Sequence, residues 1–246
     1  MHFNLRRQEL RPDDGGHVYW QPLLQQVEWV PETSALLLCD VWDKHWCRGA
    51  TERLDAMVER MERVVQGARA QGVQIIHAPS DTMEFYADTA ARQRLATAVP
   101  VELPADLERD DPPLPVDASD GGSDTGEAES FKAWHRQHPA IGIDQQRDGI
   151  SDNGREVYSF FQAQGITRLL IMGVHTNMCV LGRSFAIKQM VKWGVEVALI
   201  RDLTDAMYNP AKPPYVDHSE GTRLIVEYIE KFWCPTVASE ELLLNF

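Results

Sequence analysis

The chain has 246 residues, 43% of them hydrophobic, which is enough to bury the core of one large domain. A formal charge of −13 and a pI near 5.0 exclude a protein built to hold nucleic acid or an anionic membrane, because both need a basic face. No apolar run approaches the roughly 18 to 20 residues that span a bilayer, and the opening "MHFNLRRQELRPDDGGHVYW" lacks the apolar stretch of a signal peptide, so a cytoplasmic location is expected.

In chain order, residues 1–34 hold two strand-like runs separated by Gly15 and Gly16, the pattern of an N-terminal hairpin or arm. "ALLLC" (35–39) is the first core strand. Over 51–71, Leu54, Met57, Val58, Met61, Val64 and Val65 recur at helical spacing, and Gly72 ends the helix. "VQIIHA" (73–78) is the second strand. Residues 100–130 are rich in Pro, Gly, Asp and Ser without periodicity, and read either as a solvated surface loop or as an inserted lid over a site. "AIGI" (140–143) is a third strand, "RLLIMG" (168–173) a fourth and "VEVALI" (195–200) a fifth, with helices expected at 153–164, 179–192 and 218–232. Apolar runs alternating with helices predict a single α/β domain over 1–246. Its sheet is doubly wound, Rossmann-like and parallel, of about six strands, with helices on both faces.

Such sheets bind ligands beyond the carboxyl ends of their strands. There the chain places "DVWDKHWC" after the first strand and "VHTNMC" after the fourth. The four cysteines, Cys39, Cys47, Cys179 and Cys234, show neither paired nor zinc-finger spacing and read as separate thiols. Cys179 falls where a strand gives way to a helix, a place that favours a thiolate and offers amides to an oxyanion. Asp40, at another strand end, can accept its proton. No glycine-rich phosphate loop follows a strand, so no nucleotide cofactor is expected.

The stretches "ALLLCDVWD" and "GITRLLIMGVHTNMCV...WGVEVALIRDLTDA" resemble the isochorismatase-like cysteine hydrolases, which include nicotinamidases, and the resemblance spans roughly residues 34–232. It implies Cys179 as nucleophile, Asp40 as base, and a cis peptide between Val174 and His175 that turns the amides of 175–179 into an oxyanion hole. The reaction it implies is cleavage of a carbon–nitrogen bond in a small amide-like substrate through a thioester, in an enzyme that forms homo-oligomers. Members carry a lysine after the third strand, but "IGIDQQRDG" has none; Lys44 or Arg147 could supply the charge, and a catalytically impaired binding protein is the alternative. Trp42, His45, Trp46, His77 and Tyr208 are candidate pocket residues, the tryptophans and histidine of "DVWDKHWC" reading equally as core. No cofactor is expected, unless Asp43, His45 and His77 hold a zinc ion in a metal-assisted hydrolase.

Overall fold

Continuous apolar stretches form the centre of the molecule because they can be buried on both sides. In the computed structural model, which describes residues 1–244, β3 (Ser34–Cys39) and β6 (Arg168–Val174) pair in parallel and lie almost wholly buried. β4 (Gln74–Ala78) and β5 (Gly149–Ile150) extend the sheet on one side, and β7 (Glu196–Asp205) and β8 (Thr236–Val237) on the other, all parallel. The N-terminal arm is a hairpin of β1 (His2–Pro12) and β2 (Val18–Glu28) whose first strand joins β8 antiparallel. The order β2-β1-β8-β7-β6-β3-β4-β5 therefore contains the expected six parallel strands plus two antiparallel ones. The arm is anchored by buried Glu230, which accepts from Arg6 Nε (2.7 Å), Gln8 Nε2 (2.9 Å) and Thr236 Oγ1 (2.6 Å).

Alternate residues of each strand enter two cores. Leu37, Cys39, Leu169 and Ile171 pack under α4 (Gly154–Gln164), α6 (Ile187–Lys192) and α7 (His218–Phe232). Leu36, Leu38, Leu170 and Met172 pack under α1 (Arg48–Gln71) and α8 (Ser239–Leu243). Gly72 ends α1 in the left-handed conformation, φ 93°. Two short helices, α2 (Met83–Tyr86) and α3 (Ala90–Ala96), follow β4. No helix among the described residues is long and apolar enough to cross a membrane.

Two elements differ from expectation. Residues 140–143 form no strand: Ile141 is buried in the α1 core but makes no ladder, and the third core strand is Gly149–Ile150, too short to leave a periodic signal. The helix expected over 179–192 is broken into α5 (Cys179–Gly182) and α6, with Arg183 extended at ψ 153° between them. Residues 97–148 carry no regular helix or strand, yet they are tied down along their length. Leu107 N–H donates to the Lys192 carbonyl, Asp111 pairs with Lys188, and Asp124 pairs with Arg53 at the amino end of α1.

Candidate active site

The first turn after β3 buries a carboxylate. Asp40 has no exposed surface, and its Oδ1 accepts from the Ser80 amide at 2.7 Å. Its backbone is left-handed, φ 50°, with the amide tied to the Ala78 carbonyl. Next to it, β6 comes unusually close. Gly173 (φ 123°) has room for no side chain, since a Cβ there would collide with the Cys39 carbonyl, and this contact brings the residues after β6 beside Asp40.

Those residues form a braced turn. The Val174–His175 peptide is cis. Thr176 N–H donates to the Asp205 carbonyl (2.8 Å), its hydroxyl bonds Thr204 Oγ1 (2.7 Å), and the Asn177 amide group bonds both the carbonyl and the N–H of Met207 (2.9 Å each). Thr176 and Asn177 thus lock the turn to the end of β7, and Cys179 emerges from it partly open to solvent. The thiol stands beside the Asp40 carboxyl group, close enough for each to shift the other's proton affinity. Burial pushes the thiol up to about 12, with the Asp40 charge adding to the rise. Burial also raises the Asp40 carboxyl, against the pull of a neighbouring guanidinium. The helix start expected to favour a thiolate is only a single turn, so its dipole is slight, and the sulfur rests as a thiol beside a carboxyl group that accepts from Ser80 and Arg183.

The guanidinium belongs to Arg183, which the sequence reading missed. Its Nε donates to Asp40 Oδ2 at 3.3 Å, and its Nη2 lies 3.5 Å from Asp81 Oδ2. The break in the expected helix directs it there. At the break, the Ser184 hydroxyl accepts from Gly154 N–H (3.0 Å), and the Ser184 carbonyl lies where a Cβ on Gly154 would be, so residues 183 and 184 are pressed against the start of α4. The sequence offers only a spacing: Arg183 follows Cys179 by four residues, about one helical turn, but the helix ends between them. A cavity of about 530 Å³ opens here, lined by Ser80, Asp81, Asp152 and Arg183 among others, and Asp81 and Asp152 also line a neighbouring one of about 770 Å³ with Lys132 and Trp134.

The remaining candidates divide. Trp42, His45 and Trp46 gather in an aromatic cluster completed by Trp134, which stacks on Trp42 at 4.0 Å and on His45 at 5.8 Å, while His175 meets His45 edge-on at 4.7 Å. His45 Nδ1 accepts from the Cys47 amide (3.2 Å), leaving its proton on Nε2. Burial lowers His45 to about 4, and burial together with His45 lowers His175 to about 3, so both rings are neutral at pH 7. Lys44 is exposed, and Arg147 pairs with Asp144 at 2.9 Å on the surface; neither stands beside Asp40. His77 is fully buried with both ring nitrogens engaged, by Gln137 Oε1 (2.9 Å) and Asp148 Oδ2 (3.0 Å), so it faces no pocket. The Tyr208 hydroxyl is spent on its own loop, donating to the Lys212 carbonyl (2.8 Å) and accepting from Val216 N–H. Asp43 accepts from the amides of His135 and Arg136. With Asp43 and His77 so committed, and no suitable group of three ligands among the described residues, the chain does not fit the zinc site considered for Asp43, His45 and His77.

No curated protein matches this chain. Solved structures do, at the level of fold. A cysteine hydrolase from Pseudomonas syringae pv. phaseolicola superposes with a TM-score of 0.56 at 15% identity, covering 89% of this chain and 95% of that one. An isochorismatase from Pseudomonas putida gives 0.52 at 12% identity over 86% and 91%, and an isochorismatase family protein from Desulfovibrio vulgaris gives 0.50 at 14% over 87% and 99%. The isochorismatase domain model matches residues 34–212, well over half of the sequence, and by that match the chain belongs to the isochorismatase family.

Proposed function

We propose that the chain is a cysteine hydrolase that cleaves the carbon–nitrogen bond of a small amide through a thioester on Cys179. The observation that carries this reading is the buried Asp40 carboxyl group, held by the Ser80 amide and Arg183, beside the partly open Cys179 thiol at the carboxyl end of the central strands. Because the thiol is pushed up to about 12, the sulfur does not wait as a thiolate. Its proton passes to Asp40 as sulfur attacks the carbonyl, so deprotonation and bond formation are one event. The Cys179 amide at the start of α5 receives the oxyanion, and Trp42, His45 and Trp46 form an aromatic wall for the acyl group. The segment 100–130 acts as a cover whose docking, through Asp124 and Arg53, excludes water.

The test is release of ammonia or amine from a panel of small amides, with the acyl-enzyme sought by intact mass. Cys179→Ala should abolish release, and Asp40→Asn should lower kcat by at least about a hundredfold. Ligand binding without turnover in the wild type would favour the binding-protein reading instead, and turnover surviving Cys179→Ala would remove the nucleophile.

A further inference from the structure

A carboxylate next to a thiol opposes the loss of the thiol proton unless a cation offsets it. The family's lysine has no counterpart after the third core strand: β5 is followed by Ser151, Asp152 and Asn153, and the Ser151 hydroxyl is held by Glu156 (2.6 Å). The charge comes from the other side of the site. Arg183 donates to Asp40 Oδ2 through Nε (3.3 Å), stands close enough to Cys179 for the two to interact electrostatically, and reaches Asp81 through Nη2.

We infer that Arg183 is the catalytic cation of this site, supplied by the nucleophile's own segment in place of a lysine from a neighbouring strand, and that it acts only as a fixed charge. This rests on reading Cys179 as the nucleophile. A guanidinium does not give up its proton in a protein, so Asp40 must carry every proton of the cycle. The thiol proton moves to Asp40 as the sulfur–carbon bond forms. When the carbon–nitrogen bond breaks, Asp40 returns that proton to the leaving nitrogen. Water then attacks the thioester and gives a proton to Asp40; the tetrahedral adduct collapses, the carbon–sulfur bond breaks, and Asp40 reprotonates the sulfur. Arg183 keeps all its hydrogens and stabilises the sulfur whenever it bears charge.

Two features suit a guanidinium better than an ammonium. Two of its nitrogens face Asp40 and Asp81 together, at 3.3 and 3.5 Å, and the contact of Ser184 with Gly154 holds the backbone from which it extends. The sulfur and the cation therefore share one rigid turn, and their separation does not depend on how β5 packs.

The deciding experiment is the rate of Cys179 alkylation by iodoacetamide against pH, followed on the Cys179 peptide, in wild type, Arg183→Met and Arg183→Lys, each checked for folding by urea denaturation. Arg183→Met should slow alkylation at neutral pH at least tenfold and move the profile to higher pH. Arg183→Lys should recover part of the loss, and methylguanidinium added to Arg183→Ala should restore rate, which a merely structural role would not allow. Should Arg183→Met not fold, Arg183→Gln carries the same comparison. Alkylation within twofold of wild type in a folded uncharged variant overturns the inference. Since alkylation needs no substrate, it decides the role of Arg183 even if the wild type cleaves no amide, an outcome that would count against the hydrolase reading alone.

Discussion

Gly154→Ala tests whether the placement of Arg183 depends on one backbone contact. Gly154 opens α4, and an added Cβ would come within 3.0 Å of both the carbonyl carbon and the carbonyl oxygen of Ser184. Ordinary heavy-atom contact is about 3.5 Å or more, so Ser184 must retreat by roughly 1.5 Å. Alanine gains about 0.4 to 1 kcal/mol through the unfolded chain, while the overpacked contact costs about 1 to 3 kcal/mol, so a net loss of about 1 to 2 kcal/mol is expected. The larger effect falls on chemistry. The Arg183 Nε to Asp40 contact already stands at 3.3 Å, and a further shift of this size takes it beyond hydrogen-bond range. A misplacement of about 1 Å can cost on the order of a hundredfold in rate. Urea denaturation and Cys179 alkylation measure the two effects separately. Gly165→Ala is the control: it opposes glycine's left-handed conformation, φ 69°, which Gly154 does not adopt, but meets nothing within 4 Å and lies at the far end of α4. It should lose about 1 kcal/mol and no reactivity. If Gly154→Ala matches wild type in both measurements, residues 183 and 184 are not braced by α4.

Other perturbations read other parts of the molecule. His218 faces the Tyr208 carbonyl through Nδ1 and Asp205 Oδ1 through Nε2, both at 2.9 Å, so both nitrogens donate and the ring is charged. Burial alone would lower its pKa, but Asp205 raises it on balance. Its contribution to stability is therefore complete below about pH 6.5 and lost as pH rises through the raised folded value. Urea midpoints across that window should fall in wild type and stay flatter in His218→Gln. At the opposite edge of the sheet, Asp148 accepts from Arg69 (2.6 and 3.1 Å), His77 and the Asp144 amide. Against the effect of burial, the hydrogen bonds of His77 and Arg69 lower Asp148 to about 2, so its contribution disappears as pH falls from about 3.8 through that value. Asp148→Ala should cost about 3 to 5 kcal/mol by chemical denaturation, because it strands Arg69 and His77. Finally, Cys39, Cys47 and Cys234 are buried, and native-state alkylation should label Cys179 well before them; early labelling of Cys39 would mean that the sheet end opens.

The central strands were legible because burial on both faces requires unbroken apolar runs, and "ALLLC", "RLLIMG" and "VEVALI" supply them. The long helices were legible because Leu54 to Val65 and the residues of α4 and α7 repeat at helical spacing and end at recognisable caps such as Gly72. β5 and β8 were not, since two residues carry no period. Asp40 and Cys179 could be paired in advance because strand ends in a parallel sheet converge. The companions of Asp40 could not. Lys44 is nearer to it in sequence than Arg183, yet Lys44 points to solvent while Arg183 reaches it across 143 positions. Nor does sequence tell that Trp134, from a stretch without periodicity, stacks on Trp42, or that His77 is consumed by Gln137 and Asp148. What the sequence by itself determined is what local periodicity and strand polarity encode: a parallel sheet wound on both sides, and which loops meet at its carboxyl edge. Only the tertiary structure decided which cation faces the carboxylate, because the direction of Arg183 is set by a helix break held open by Ser184 against Gly154, a contact between residues thirty positions apart that no local pattern records.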